Sequence, residues 1–365
     1  MTTAITQPAR AEAAATAATM RALVFHGPGR RAWEEKPRPR LQQDTDAIVR
    51  VSTTTICGTD LHILKGDVPT VTEGTILGHE AVGYVDEVGS GVRSFAKRDK
   101  VLVSCITSCG RCDFCRKSMY SHCRTGGWVL GHKIDGTQAE YVRIPHADTS
   151  LYALPREADE EACVLLSDIF PTGFECGVQF GQVKPGDTVA IVGAGPIGLA
   201  ALMTAQLYSP SALIMVDPDP NRLEVSRSLG ATATVAAVGI DAFEAVRVLT
   251  RGEGVDVAIE AVGVPASFEL CQAIVAAGGH IANVGVHGKA VNLHLESLWA
   301  HNVTITTRLV DTATTPMLLK LLLSGRLQPK SLVTHRFAMP DIMSAYDTFA
   351  NAAQEKALKV AITGR

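Results

Sequence analysis

The sequence has no basic cluster, no unbroken apolar span and no secretory leader, and each lack removes a class of function. Its 34 Lys and Arg are scattered against 37 Asp and Glu, for a formal net charge of -3. Such a chain sets up no general field for nucleic acid or an anionic membrane surface, and neither partner is expected. The longest uncharged run, Thr188 to Val216, has the length of a membrane span. Gly193, Gly195, Pro196, Gly198 and Pro210 cut it into strand, helix and strand. Residues 1–19 are almost wholly Ala, Thr, Gln and Ile with one Arg and one Glu, without the apolar core of a secretory signal or the Arg and Ser of a transit peptide. They are expected to be a disordered extension. The abrupt strand pattern from Met20 suggests an alternative translation start there.

What is present is a core-forming chain: 365 residues with 46% hydrophobic content suffice for two domains of ordinary size. The stretch Thr188 to Leu207 organises them. It begins as an apolar strand, turns on Gly193, Gly195 and Gly198, and continues as an Ala/Leu-rich helix that opens with Pro196-Ile197. Gly193 permits the tight turn, Gly195 the approach of a pyrophosphate, and Gly198 the packing of helix on strand, with free N–H groups at the helix start facing the anion. A second apolar strand, ALIMVD, ends in Asp217, where a carboxylate meets the adenosine ribose of a dinucleotide. That selects NAD over its 2′-phosphorylated form.

From Met20 to about Ala147 the sequence is short apolar strands broken by Gly and Pro, the pattern of a Greek-key or barrel-like β domain. From about Lys184 to Thr307 strands alternate with Ala-rich helical segments, the pattern of a doubly wound parallel sheet. The final segments, SLVTHRF and KALKVAIT, are expected to fold back on the β domain, so that the nucleotide domain is inserted. Ala261-Val262-Gly263 and Val284-Gly285-Val286 each end an apolar strand in glycine-containing turns and are candidate contacts to a planar ring. Arg222 is placed over the adenosine or, equally, on a solvated helix face.

Nine cysteines could signal disulfides, but four lie within fifteen residues and no secretory signal precedes them, so a reducing cytoplasm is expected. Cys109, Cys112, Cys115 and Cys123 are spaced Cys-x2-Cys-x2-Cys-x7-Cys. Four thiolates on so tight a loop close the sphere of a tetrahedral zinc and leave no place for substrate, so this site is structural. Cys105, just upstream, is read as a bystander. A dispersed group comprises Cys57 in ICGTDLH, His79-Glu80 in LGHE and Asp168 in LLSDIFPTG. Each alone reads equally as a buried thiol, a turn residue or a helix cap.

Taken together with the nucleotide turn, the four-cysteine lobe, Thr172-Gly173 and Lys359, these motifs resemble the zinc-dependent medium-chain alcohol dehydrogenases over nearly the whole chain from Met20. The set Cys57, His79 and Asp168 resembles the bacterial secondary-alcohol branch, and the runs TTTICGTDLHILKG and IDGTQAEYV have its look. The resemblance implies a GroES-like β-rich catalytic domain (20–168 and 308–365) interrupted by a Rossmann domain (169–307). It implies a catalytic zinc on Cys57, His79 and Asp168, with Glu80 beside the metal and able to approach it. It places Asp60 against the second ring nitrogen of His79 and Thr172 against the nicotinamide. Thr59 accepts the alcohol proton and passes it through the coenzyme ribose to His62. Two positions depart from the liver-type pattern: Asp168 stands where those enzymes have a second Cys, and Gly58 where many have a pyrophosphate-binding Arg. An open-coordinate zinc acidifies a bound alcohol so that its carbon can give hydride to NAD. The reading is an NAD-dependent zinc enzyme, dimeric or tetrameric, acting on small alcohols, secondary ones foremost, and on the matching ketones or aldehydes. A polyol, threonine or formaldehyde dehydrogenase of the same family is the alternative, and a non-catalytic nucleotide-binding protein a more distant one. Ile56, Trp128 and Leu309 are candidate substrate-pocket residues.

Overall fold

The computed structural model describes residues 18–364. Most of the extension expected over 1–19 therefore lies outside the described residues, while Thr19 already belongs to a strand. β1 (Thr19–Phe25) pairs antiparallel with β2 (Arg31–Pro37), a strand that its charged sequence RAWEEKP does not announce. β3 (Ala47–Thr55), β4 (Ala81–Val88), β5 (Lys100–Val103), β6 (Tyr141–Ile144) and β7 (Leu151–Ala153) follow. They pair antiparallel, and their inward residues, Val49, Val101 and Val142 among them, share one buried core with Leu23 of β1.

The chain then builds a second sheet from β8 (Thr188–Val192), β9 (Ala212–Val216), β10 (Ala233–Val235), β11 (Val255–Glu260), β12 (Val275–Asn283) and β13 (Thr304–Thr307). All six are parallel, in the order β10-β9-β8-β11-β12-β13. Both faces of the central strands are covered by helices, which is why TVAIV and ALIMV are nearly continuous apolar runs rather than alternating ones. Three of the covering helices, Pro196–Ala205, Pro220–Ser228 and Pro265–Ile274, begin with proline, whose missing N–H costs nothing in a first turn. The strand order reverses between β8 and β11, and a doubly wound sheet opens a crevice at the carboxyl ends of the strands where its order reverses.

After β13 the chain returns to the first sheet. β14 (Val333–Ala338) and β15 (Lys359–Thr363) extend it to β14-β15-β3-β4-β5-β7, with β6 also on β3. The helix Thr315–Leu323 buries Leu318 and Leu319 in the same core as Leu165, Phe170, Val189 and Leu199. That core is continuous from the parallel sheet to the segment leading into it. Among the described residues no helix is long and apolar enough to cross a membrane.

Candidate active site and metal centres

Three chain turns bring Cys57, His79 and Asp168 together. Cys57 follows the end of β3 and opens the helix Gly58–Lys65, and its backbone N–H donates to Asp60 Oδ2 at 2.9 Å. His79 sits between Gly78 and β4, and Gly78 has a φ of +91° where an added Cβ would press on Gln138 and Thr137. Asp168 precedes the helical turn Ile169–Thr172, whose Thr172 hydroxyl donates to Asp168 Oδ1 at 2.6 Å. His79 Nε2 and Cys57 Sγ stand 3.3 and 3.5 Å from Asp168 Oδ2, and all three residues are buried. Donors placed about 2.0–2.3 Å from a tetrahedral ion lie roughly 3.3–3.7 Å apart, so the spacing fits zinc.

The electrostatics fit as well. Burial pushes the Cys57 thiol up, and the charge of Asp168 adds to it. Burial also opposes ionisation of Asp168, but the hydrogen bond and charge of His79 outweigh it and hold the carboxyl at about 2. A buried carboxylate held ionised beside a thiol whose ionisation burial opposes is a donor set that one cation satisfies.

The surrounding residues divide. Glu80 lies outside the three-donor group, because Lys359 Nζ donates to its Oε2 at 2.6 Å and Thr55 donates to the same oxygen. Its Oε1 is buried with no hydrogen-bond partner. Asp60 departs from expectation: its Oδ1 is 3.9 Å from His79 Nδ1, too far for a hydrogen bond, and has no partner. The carboxylate is turned by its other oxygen, which accepts from Cys57 N and from Gln138 Nε2 at 3.0 Å. Thr59 Oγ1 is 3.7 Å from Cys57 Sγ. His62 faces away towards Asp67, with Nδ1 2.8 Å from Oδ2, and is part exposed.

One cavity of about 440 Å³ runs from this group to the carboxyl ends of β8 and β9. Cys57, Thr59, His62, His79, Asp168 and Lys359 line one end, with Thr172 beside them. Gly193, Gly195, Pro196, Ile197, Asp217 and Arg222 line the other. Asp217 is buried, and its two oxygens accept from Ala194 N and Asp219 N at 2.8 Å each, so it also ties the glycine turn to the strand end. Val262, Val284, Gly285 and Val286 form a wall between the ends. Gly198 and Gly263 do not reach the cavity: an added Cβ would collide with Gly193 O at the first and with Val286 O at the second. Both glycines serve close packing, and neither stands where the direct coenzyme contact expected of it could be made. Gly58 lines the cavity with open space around its Cα, as expected where a larger side chain is missing.

Cys109, Cys112, Cys115 and Cys123 converge in a second group. Cys115 Sγ is 3.5 Å from Cys112 Sγ and 4.0 Å from Cys109 Sγ, near the roughly 3.8 Å edge of a zinc tetrathiolate. Backbone N–H groups of Cys109 and Cys112 point at Cys123 Sγ and Cys109 Sγ, as they do towards thiolates. Backbone hydrogen bonds bring the half-buried Cys112 thiol down to about 6. The lobe is moored by Ser121, whose N–H and hydroxyl both donate to Asp311 Oδ1 at 2.8 and 2.7 Å. Glu175 in turn accepts from the backbone of Asp311, Thr312 and Thr314, just after Val310 on the cavity wall.

Sequence reasoning missed several wall residues. Cys105 lies with Sγ 3.7 Å from Asp168 Oδ1, at the Cys57 end of the cavity rather than at the cysteine lobe. Trp128, which the sequence does offer for the pocket together with Ile56 and Leu309, lies on the wall edge-on to His79 at 6.5 Å and stacked on His132 at 4.3 Å. Arg308, Val68, Ile106 and Val310 also line the cavity, and no local motif marks them.

The family model for the alcohol dehydrogenase GroES-like domain matches residues 43–156, and that for zinc-binding dehydrogenases matches 196–324. An alcohol dehydrogenase of Cupriavidus necator is 35% identical over 94% of this chain and 99% of its own. The zinc-dependent alcohol dehydrogenase 2 of Streptococcus pneumonia, solved in its apo form, is 52% identical, with a TM-score of 0.90 over 94% of this chain and 98% of that one. The alcohol dehydrogenase of Thermus sp. ATN1 is 37% identical, with a TM-score of 0.87 over 95% and 100%. A likeness that spans both sheets and almost the whole of each relative leaves one conclusion: the chain belongs to the zinc-dependent medium-chain alcohol dehydrogenases, with a GroES-like domain and a Rossmann domain.

Proposed function

We propose that the protein interconverts small secondary alcohols and ketones with NAD as hydride carrier, using two zinc ions per chain. One is held by Cys57, His79 and Asp168, the other by Cys109, Cys112, Cys115 and Cys123. The observation that carries this reading is a single cavity with a three-donor metal set at one end and the Gly193–Ile197 turn with Asp217 at the other. When bound, the zinc acidifies the alcohol and NAD accepts its hydride. The Thr59 hydroxyl, on the cavity wall beside Cys57, takes the alcohol proton, and His62 at the solvent side releases it. Asp168 is oriented for its task by the Thr172 hydroxyl. Ile56, Val68, Ile106, Trp128, Leu309 and Val310 exclude water around the reacting carbon. Apart from the Trp128 indole these six offer no hydrogen-bonding group. A non-catalytic role would be favoured by a lost ligand, whereas Cys57, Thr59, His79 and Asp168 stand together.

Similar structures have been solved with NADH (Escherichia coli, 25% identical, TM-score 0.85) and with NADP (Sinorhizobium meliloti, 27%, 0.83). Coenzyme choice therefore rests on Asp217, whose charge repels a 2′-phosphate. We assign the domains as 20–168 with 308–365, and 169–307. Self-association as a dimer or tetramer is supported by β13, an edge strand of the parallel sheet, and by Trp299 just before it, 79% exposed. Nine free cysteines support a reducing cytoplasm. The test is a zinc count on the purified protein with a panel of primary and secondary alcohols, aldehydes and polyols against both coenzymes. Two zincs and fastest turnover of secondary alcohols with NAD are expected; preference for a polyol or formaldehyde would replace the substrate assignment.

A further inference from the structure

One buried carboxylate holds both backbone turns of the cavity's middle wall. Glu260 ends β11 and is 0% exposed. Its Oε1 accepts from Val262 N at 2.9 Å, Gly263 N at 2.8 Å and the Ser267 hydroxyl at 2.6 Å. Its Oε2 accepts from Gly285 N at 3.2 Å, and the Val284 N–H donates to the Glu260 carbonyl at 2.8 Å. His287 Nε2 is 3.5 Å from Oε2 and 2.8 Å from Asn283 Oδ1. Among the described residues no lysine or arginine pairs with Glu260.

The two turns meet around this carboxylate, backbone against backbone. Gly263 has a φ of +86°, and a Cβ there would run into the carbonyl of Val286. A Cβ at Gly285 would run into Gly263 N and into the carboxylate itself. Glu260 does not line the cavity, yet Ala261, Val262, Val284, Gly285 and Val286 all do. It stands to these turns as Asp217 stands to the glycine turn: a carboxylate at a strand end that gathers the N–H groups of the loop beyond. The difference is that Asp217 also faces the cavity.

We propose that Glu260 is a positioning residue for the nicotinamide half of the coenzyme, fixing turns 261–263 and 284–286 so that their remaining backbone groups meet the planar ring. This rests on the reading that the cavity takes a nicotinamide dinucleotide. The effect is local to one half of the ligand, because the adenosine half is served by Gly193–Ile197 and Asp217 on β8 and β9, to which Glu260 makes no hydrogen bond.

The experiment compares NADH with ADP-ribose, which keeps the adenosine and pyrophosphate and lacks the nicotinamide, on the zinc-loaded full-length enzyme by calorimetry. In Glu260→Gln the amide cannot accept from both turns, and the Kd for NADH should rise about tenfold or more while that for ADP-ribose stays within about twofold. KM for NAD should rise accordingly, with the zinc content unchanged. Equal weakening of both ligands, or no weakening of either, overturns the proposal. Ser267→Ala, which removes one donor without burying a new polar group, should give the same NADH-selective loss in smaller measure and serves if Glu260→Gln does not fold. A parent enzyme that binds neither NADH nor ADP-ribose would overturn the coenzyme reading itself, an outcome distinct from a failure of the variants.

Discussion

Lys359 Nζ lies 2.6 Å from Glu80 Oε2, an ion pair between side chains each 1% exposed and 279 positions apart in the chain. Lys359 also donates to the carbonyl of Ile56, the residue before Cys57. The pair thus braces the turn that carries one metal donor against the residue that follows another. Burial alone would lower the lysine, but the charges of Glu80 and Cys57 prevail and raise it above 10.5. Its contribution is therefore complete below about pH 10.5 and fades as the pH climbs through the raised value. Lys359→Met would strand the Glu80 carboxylate without its cation and should cost about 3–5 kcal/mol in urea unfolding. The double variant Lys359→Met with Glu80→Gln should recover much of that loss. A single variant as stable as the parent would remove the brace from the account.

For the metals, Asp168→Ala should release one zinc and reduce turnover by orders of magnitude, read by metal analysis beside kcat. Cys112→Ser should release the other, lower the Tm and leave the folded fraction active. Full activity of Asp168→Ala with one zinc gone would mean that the two sites have been given the wrong roles.

Coenzyme preference should follow Asp217. A 2′-phosphate at about 4 Å from its carboxylate, at an effective dielectric of about 20, is disfavoured by roughly 4 kcal/mol per like-charge pair before screening. NAD should lead NADP in kcat/KM by at least a hundredfold, and Asp217→Gly should erase most of that lead. The same variant should lose some stability, because Ala194 N and Asp219 N lose their acceptor. Equal kcat/KM for the two coenzymes in the parent would contradict this role.

The proton route predicts a graded pair of variants. Thr59→Val keeps the side-chain shape without the hydroxyl and should lower kcat by about a hundredfold or more with zinc retained. His62→Gln should act more mildly, since His62 is part exposed and buffer can replace it, and its turnover should rise with added imidazole. Normal turnover in Thr59→Val would dismiss the route while leaving the metal and coenzyme assignments in place.

Legibility differed by the range of the signal. The turn at Gly193 and Gly195 is a local pattern in which spacing and strand-helix context suffice, and the cysteine lobe is equally local. Cys57, His79 and Asp168 are far apart in sequence, and only resemblance joined them, because their convergence depends on how β3 and β4 pair and where the chain leaves β7. Two features escaped for want of any one-dimensional mark. The turn of Asp60 away from His79 is decided by competing donors on Cys57 and Gln138. The hold of Glu260 on two turns depends on the register of β11 beside β12, which sets Glu260 opposite Asn283. Position in sequence sets Cys105 beside the cysteine lobe, whereas the end of β5 carries it to Asp168. β2 is hidden by its charge: as β1's partner it is only half-buried, so nothing requires it to alternate.

The position of β15 between β14 and β3 has a consequence for biosynthesis. Ala361 pairs with Thr55, and Lys359 reaches Ile56 across 303 positions. At about 5–20 residues per second, the ribosome takes roughly 15–60 s to deliver β15 after β3 has emerged. The parallel sheet, contained in residues 188–307, is complete before then. Throughout that interval the Thr53–Thr55 end of one edge of β3, the part that β6 does not cover, is open, a short template for pairing with another nascent chain. Because the Cys57 turn is braced by Lys359, it is secured only once β15 has emerged from the exit tunnel.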